Sequence, residues 1–170
     1  MNYATTVCKF TARWGDVELQ PRLVTRAELT DDYDIILLTC KAYDLASAIE
    51  TIAPAVGKAT RVLPLLNGLA HLPVLDERFG RERIHGRLSR IWQWERRDNG
   101  HIHHLNDFHR LVYGSRHASQ DGYAAQLTAI LNDTALDCER AADIEQALWN
   151  KFIFLTTLCG CNLPVSWQHR

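Results

Sequence analysis

Several signatures that would fix a function at once are missing from these 170 residues. None of the nine glycines lies two residues from another, so the G-x-G-x-x-G turn that cradles a dinucleotide pyrophosphate is absent. There is no P-loop and no G-x-S-x-G nucleophile elbow, which removes the usual starting points for nucleotide hydrolysis and serine catalysis. The five cysteines (Cys8, Cys40, Cys138, Cys159, Cys161) contain no C-x-x-C pair, and an odd number does not suit a disulfide framework. They read as reduced, small hydrophobes of a cytoplasmic protein. Basic runs never exceed a pair such as Arg96-Arg97 and the net charge is −1, so nucleic acid is not expected as a partner. The first ten residues lack the apolar core of a secretion signal, and the most apolar stretch, 152–165, is too short and interrupted to span a bilayer. Internal repeats and low-complexity segments are absent too. The expectation is a soluble intracellular chain with no membrane partner.

What is present is enough apolar material for a core: hydrophobic residues make up 46% and charged residues 23%, which argues against disorder. Segments 6–10 and 17–20 flank Trp14-Gly15-Asp16 as a hairpin. Segment 34–40 is a nearly continuous apolar run, the pattern of a parallel strand buried on both faces. A helix over about 44–53 follows, with Leu45, Ile49 and Ile52 on one face. A second apolar strand, 61–66, contains Pro64 and leads into Asn67-Gly68. A short helix over about 72–79, closed by Gly80, comes next. This alternation predicts an α/β fold with a parallel sheet.

The middle changes character. Segment 90–95 alternates, with Trp92 and Trp94 on one face, and Asn99-Gly100 signals a tight hairpin whose return strand is 101–105. Segments 111–113 and 135–138 are further strand candidates, separated by an amphipathic helix over 123–131 with Tyr123, Leu127, Ile130 and Leu131 inward. A long helix over about 143–159 closes the pattern, and the only boundary suggested by composition lies near 139–143.

Three places carry chemistry. On the last helix the apolar stripe runs Ile144, Ala147, Leu148, Lys151, Phe152, Leu155, Cys159, which puts a lysine on the face that should be buried. Burial would move its pKa toward neutrality and suit it to protonate a developing alkoxide, although a lysine snorkelling from a helix edge gives the same pattern. Lys41 follows the first buried strand and Asn67-Gly68 follows the second, the strand ends where open α/β sheets bind ligands. Solvated-loop and simple-turn readings suit these two equally. His101, His103, His104 and His109 crowd one hairpin, where His101 and His103 share a strand face. With Asp107 the only nearby carboxylate, the pattern reads as a solvated face, and no metal is expected.

Three segments in register make the sequence similar to the ketopantoate reductase (2-dehydropantoate 2-reductase) family. They are Tyr33-Asp34-Ile35-Ile36-Leu37-Leu38-Thr39-Cys40-Lys41-Ala42-Tyr43-Asp44, Leu65-Leu66-Asn67-Gly68-Leu69 and Leu148-Trp149-Asn150-Lys151-Phe152, with Gly86, the 100–103 strand and Gly114 falling between them in family order. The resemblance runs from about residue 17 to residue 161. It implies reduction of 2-dehydropantoate to pantoate, on the route to pantothenate, with NADPH as hydride donor. Lys151 would be the catalytic lysine, and Asn67 would meet both the nicotinamide end and the substrate. Lys41 and Gly68 would line the cofactor crevice. It also implies that 1–138 is an incomplete NADP-binding Rossmann-like domain without its first βαβ unit, and that 139–170 begins an all-α domain. Leu155 and Cys159 stand where many members carry asparagine, so a related dehydrogenase for another small 2-keto acid is an alternative. The missing fingerprint leaves a further one, a non-catalytic remnant or interaction module. An exposed sheet edge is expected to favour a homodimer or other self-association.

Overall fold

The computed structural model describes residues 7–12, 15–91, 94–98, 100–105, 109–134 and 136–161. Two parallel strands, β3 (Ile35–Leu38) and β4 (Arg61–Pro64), lie in register from Ile35 opposite Arg61 to Leu38 opposite Pro64. They follow a separate hairpin, β1 (Cys8–Ala12) and β2 (Gly15–Leu19). A parallel bridge from Val62 to Ile84, with His85 N donating to Val62 O at 3.0 Å, joins β4 to the next sheet. In that sheet β5 (Gly86–Ile91) pairs antiparallel with β8 (His109–Gly114), which pairs parallel with β9 (Asp137–Arg140). Between β5 and β8 the chain makes a second hairpin, β6 (Trp94–Arg96) and β7 (Ile102–His104), and β7 pairs parallel with β1.

Four helices cover the main sheet: α1 (Leu45–Ile52), α2 (His71–Phe79), α3 (Asp121–Asn132) and α4 (Ile144–Cys161). Side chains alternate across a strand, so β4 and the segment entering β5 send Val62 and Ile84 to one face. There they form a single apolar cluster with Leu38 of β3, Ile49 of α1, Leu72 and Leu75 of α2, Val112 of β8, and Ile144 and Leu148 of α4. The opposite face meets α3 and is markedly polar. Tyr113 Oη donates to Thr128 Oγ1 at 2.7 Å, the His85 ring lies 5.0 Å from that of Tyr123, and the Arg61 guanidinium stacks over the same tyrosine. Arg87 lies buried there as well; burial draws its pKa down to about 10, which still leaves it charged at neutral pH.

One contact fixes where α4 begins. Gly86 and Gly114 are directly opposed across the β5–β8 ladder. A β-carbon on Gly86 would lie 2.7 Å from two atoms of Ile144, and one on Gly114 would lie 3.0 Å from Ile144 Cβ. The paired glycines therefore leave a dent in the sheet that the first residue of α4 fills, and Ile144 is 1% exposed. Asp143 caps the helix by accepting a hydrogen bond from Gln146 N at 2.9 Å.

The predicted α/β architecture with parallel strands is present, and both central helices fall within a residue or two of expectation. Several details differ. The strand over 34–40 is covered on one face only: Leu38 is buried, while Leu37, pointing the other way, is 56% exposed. The alternating segment 90–95 is not one strand, because β5 ends at Ile91 and pairs with β8, whereas β6 begins at Trp94 and pairs with β7. Ile130 is exposed and Ala124 takes the inward place on α3. The last strand is shifted, running Asp137–Arg140. Trp14, Trp92, Asn99, Asp107 and segment 162–170, all part of the sequence argument, lie outside the described residues.

Two predictions follow from the packing. Gly86→Ala is expected to cost about 1–3 kcal/mol by overpacking against Ile144. Differential scanning calorimetry should show that Gly86→Ala/Ile144→Ala is less destabilised than the sum of its single variants. Additive costs would mean the glycine pair does not form the helix seat.

Burial, with Arg61 and Arg116 adding to it, pulls the pKa of His85 down to about 4. The unfolded chain takes up that proton near the ordinary value of 6.5. Stability from the neutral ring is thus fully present above pH 6.5 and falls progressively toward pH 4, by on the order of 3 kcal/mol. Melting curves across that window should be flatter for His85→Gln; an unchanged slope would show that this ring does not govern the acid side.

Candidate functional site

Chain direction decides which groups can meet. Strands β3 and β4 run the same way, and their carboxyl ends share one edge of the sheet. Strands β8 and β9 run the opposite way to β5, so the chain must reverse direction after β9. Helix α4 makes that reversal. Ile144 in its glycine dent is level with Pro64, the last residue of β4, and seven residues of α-helix rise roughly 10 Å from there, which carries Lys151 beyond the carboxyl end of β4.

At that edge Lys151 Nζ donates to Asn67 Oδ1 at 2.9 Å, a contact between residues 84 apart in sequence. Asn67 stands in the turn that links β4 to α2, and Gly68 beside it has φ +81°, the left-handed conformation that favours glycine. Apart from its two chain neighbours, nothing comes within 4 Å of where a Gly68 side chain would begin, so the turn leaves open space beside Asn67. The sequence-derived pair of strand ends and the helical lysine thus converge in part. Lys41 lies exposed just beyond β3, where its carbonyl accepts from Asp44 N at 3.0 Å to open a 3-10 turn. No hydrogen bond of its side chain to Asn67 is seen among the described residues. Next to Lys41, burial pushes the Cys40 thiol up, which keeps it protonated.

The expected burial of the lysine's face is only half realised. Ile144 and Leu148 are buried and Lys151 and Leu155 partly so, but Phe152 and Cys159 are exposed. Beyond Lys151 most of the described side chains of α4 are exposed, with Leu155 the partly buried exception. Trp149, Ile153 and Phe154 are each more than half exposed. Lys151 therefore sits at the rim of the folded core, where its ammonium is held by a neutral amide oxygen and is reachable from solvent.

The four histidines are partly buried, three of them at β7 and His109 at the start of β8. The His101 and His103 rings meet edge to face at 5.4 Å, and His104 and His109 pair at 6.4 Å. No group of three or more possible metal ligands gathers among the described residues.

Sequence reasoning missed the ion network behind the site. Arg116, whose side chain is 4% exposed, grips both carboxylate oxygens of Asp76 on α2, at 2.7 and 2.8 Å. Its Nε lies 3.4 Å from Glu145 Oε1 on α4, close enough for ion pairing but without hydrogen-bond geometry. Arg81 Nη2 donates to the same Glu145 oxygen at 2.7 Å. Burial, and secondarily Arg116, holds the His71 pKa low, so no competing cation forms there at neutral pH. These residues are dispersed along the chain and follow no local period, so no pattern in the sequence announces them.

The family model for ketopantoate reductase PanE/ApbA matches residues 2–117. An uncharacterised oxidoreductase of Bacillus subtilis, YkpB, is 28% identical over 146 residues, covering 86% of this chain and 48% of the relative. The crystal structure of 2-dehydropantoate 2-reductase from Geobacter metallireducens superposes with a TM-score of 0.75 at 27% identity, covering 86% of this chain and 48% of that one. A ternary structure of D-mandelate dehydrogenase with NADH and anilino(oxo)acetate shares the fold, with a TM-score of 0.70 at 21% identity over 85% of this chain and 46% of that one. The chain spans about half the length of the curated relatives it matches.

Proposed function

Because this chain belongs to the ketopantoate reductase family, we propose that it carries the carbonyl-polarising part of an NADPH-dependent reduction of 2-dehydropantoate to pantoate. The observation that carries this reading is the Lys151–Asn67 hydrogen bond at the carboxyl edge of the parallel strands. That edge is where an open α/β sheet takes its ligand.

The nicotinamide end of the cofactor fits the residues present. Gly68 leaves open space beside Asn67, whose side chain has both a donor and an acceptor for a carboxamide or a substrate oxygen. Exposed Lys41, at the end of the neighbouring strand, supplies a positive charge along the same crevice. The pyrophosphate end has no counterpart in these 170 residues, which lack the glycine fingerprint. When bound, NADPH supplies the hydride that attacks the keto carbon.

Lys151 does the rest from the protein side. Its ammonium donates a hydrogen bond to the keto oxygen, favours negative charge there as the carbonyl bond breaks, and passes one proton to the resulting alkoxide. Asn67 holds the ammonium before substrate arrives and so fixes its direction. On this reading 1–138 is the nucleotide-binding part and 139–170 opens the helical part. The thiols of Cys8, Cys40, Cys138 and Cys159, all free, suit a cytoplasmic setting.

A second reading, a dehydrogenase for another small 2-keto acid, is favoured by one feature. One turn beyond Lys151 the helix presents Leu155, partly buried, and no polar side chain to meet a substrate hydroxyl.

Thermal unfolding with and without millimolar NADPH tests cofactor binding directly, with NADH in parallel. The expected result is a raised midpoint, since a ligand bound only to the folded form stabilises it; no shift with either nucleotide would sink the reductase reading for this chain. With turnover in hand, Lys151→Ala should lower kcat by about 10²–10⁴ while leaving the ligand-free midpoint nearly unchanged, because a rim contact contributes little stability. A panel of 2-keto acids then separates the two substrate readings.

Strand β3 has β4 as its one strand partner among the described residues, and the open edge supports self-association through that strand. Size-exclusion chromatography with light scattering should find dimers or larger species. A monomer at all concentrations would rule the edge out as an interface.

A further inference from the structure

The Lys151–Asn67 contact joins two elements that have no covalent reason to stay together. Asn67 leads into α2, while Lys151 rides on α4, which enters from the far edge of the sheet. Between them runs a polar connection independent of the apolar core. Asp76 on α2 takes both ends of the Arg116 guanidinium, and Arg116 in turn faces Glu145 on the first turn of α4 at 3.4 Å. Glu145 is also held by Arg81, just past the end of α2, at 2.7 Å. Arg116 itself is fixed from behind: its backbone N donates to Gln120 Oε1 at 2.6 Å, and Gln120 Nε2 donates to the carbonyls of Arg81 and Ile84 at 2.9 and 3.0 Å. Gln120 is wholly buried, so this backing is rigid.

We infer that Arg116 is a positioning residue that sets the separation of Lys151 and Asn67 by clamping the first turn of α4 to α2. The inference rests on Lys151 and Asn67 being the reacting pair, but its test does not need turnover. Ile144 and Leu148 hold the helix by apolar packing, which locates it without fixing a direction closely. Glu145, on the turn between them, adds the directional contact that packing lacks. Glu145 lies six residues before Lys151, close to two turns, so a change of tilt at the clamp reaches Lys151 along the helix axis. The chemistry of the clamp matters as well as its position. A bidentate arginine–carboxylate pair fixes orientation, which a lysine at the same place does with one point charge.

The experiment measures how fast Lys151 is acetylated by trace acetic anhydride in the full chain, by peptide mass spectrometry between pH 7 and 11. The rate is taken relative to Lys58, so that general loosening cancels. Asn67→Ala sets the value for a lysine without its amide partner and should raise the ratio at least threefold. Arg116→Met and Glu145→Gln should approach the Asn67→Ala value, and Arg116→Lys should restore part of the difference. If Arg116→Met does not fold, Glu145→Gln decides together with Arg81→Met: the first leaves the Arg116–Asp76 pair in place, and an effect of Glu145→Gln that Arg81→Met reproduces in full would overturn the inference. Wild-type ratios in folded Glu145→Gln would overturn the inference. So would an unchanged ratio in Asn67→Ala, because there would then be no held separation for a clamp to set. Failure of NADPH to bind leaves the acetylation result intact, which keeps the two readings distinguishable.

Discussion

Everything that brings chemistry to one place depends on a steric fact: two glycines face each other across the β5–β8 ladder and leave room for Ile144. A sheet of ordinary residues would hold α4 a side-chain thickness away. Here the helix start sinks toward the face of the sheet, its first residue is buried, and the apolar cluster runs unbroken over that face from α1 to Leu148. The apolar contact gives most of the attachment energy, since burial of an isoleucine and a leucine outweighs a partly exposed ion pair. The ion pairs of Arg116, Arg81 and Glu145 have a different role. They are directional where packing is not, and orientation is what a proton donor needs.

The two faces of the main sheet divide the work. The face with α1, α2 and α4 is apolar and carries the site at its upper rim. The face with α3 is built around Arg61, His85, Arg87 and Tyr123, with buried nitrogens that have no hydrogen-bond partner at His85 Nε2 and Arg87 Nε. Such groups cost stability, and they make the α3 side the part of the fold most sensitive to acid.

Local regularities made much of this legible in the sequence. Continuous apolar runs marked β3 and β4, and Pro64 proved tolerable because it ends its strand. The 3.6-residue period located α1, α3 and α4, Gly80 marked the end of α2, and Asn67, Gly68 and Lys151 were found from strand ends and an interrupted stripe. What escaped was whatever depends on partners chosen in three dimensions. The alternation over 90–95 continues smoothly while the strand partner changes from β8 to β7, so periodicity alone could not divide it. The exposure of Phe152 and Cys159 follows from the height of the sheet, which no property of the helix encodes. Asp76 and Arg116, 40 residues apart, share no pattern that a one-dimensional reading could detect.

The return path of α4 also bears on how such a chain can vary over time. Residues 141–143 are all that separates β9 from the helix, and Ile144 must meet its dent in register. Adding or deleting one residue there would turn the helix by roughly 100° relative to the dent. Restoring Ile144 to its place would then need a compensating distortion, and leaving it out would swing Lys151 to another side altogether. Substitutions in this connection can accumulate one at a time, whereas a change in its length is all or nothing, and lineages keeping the lysine in use should vary here in composition and not in length.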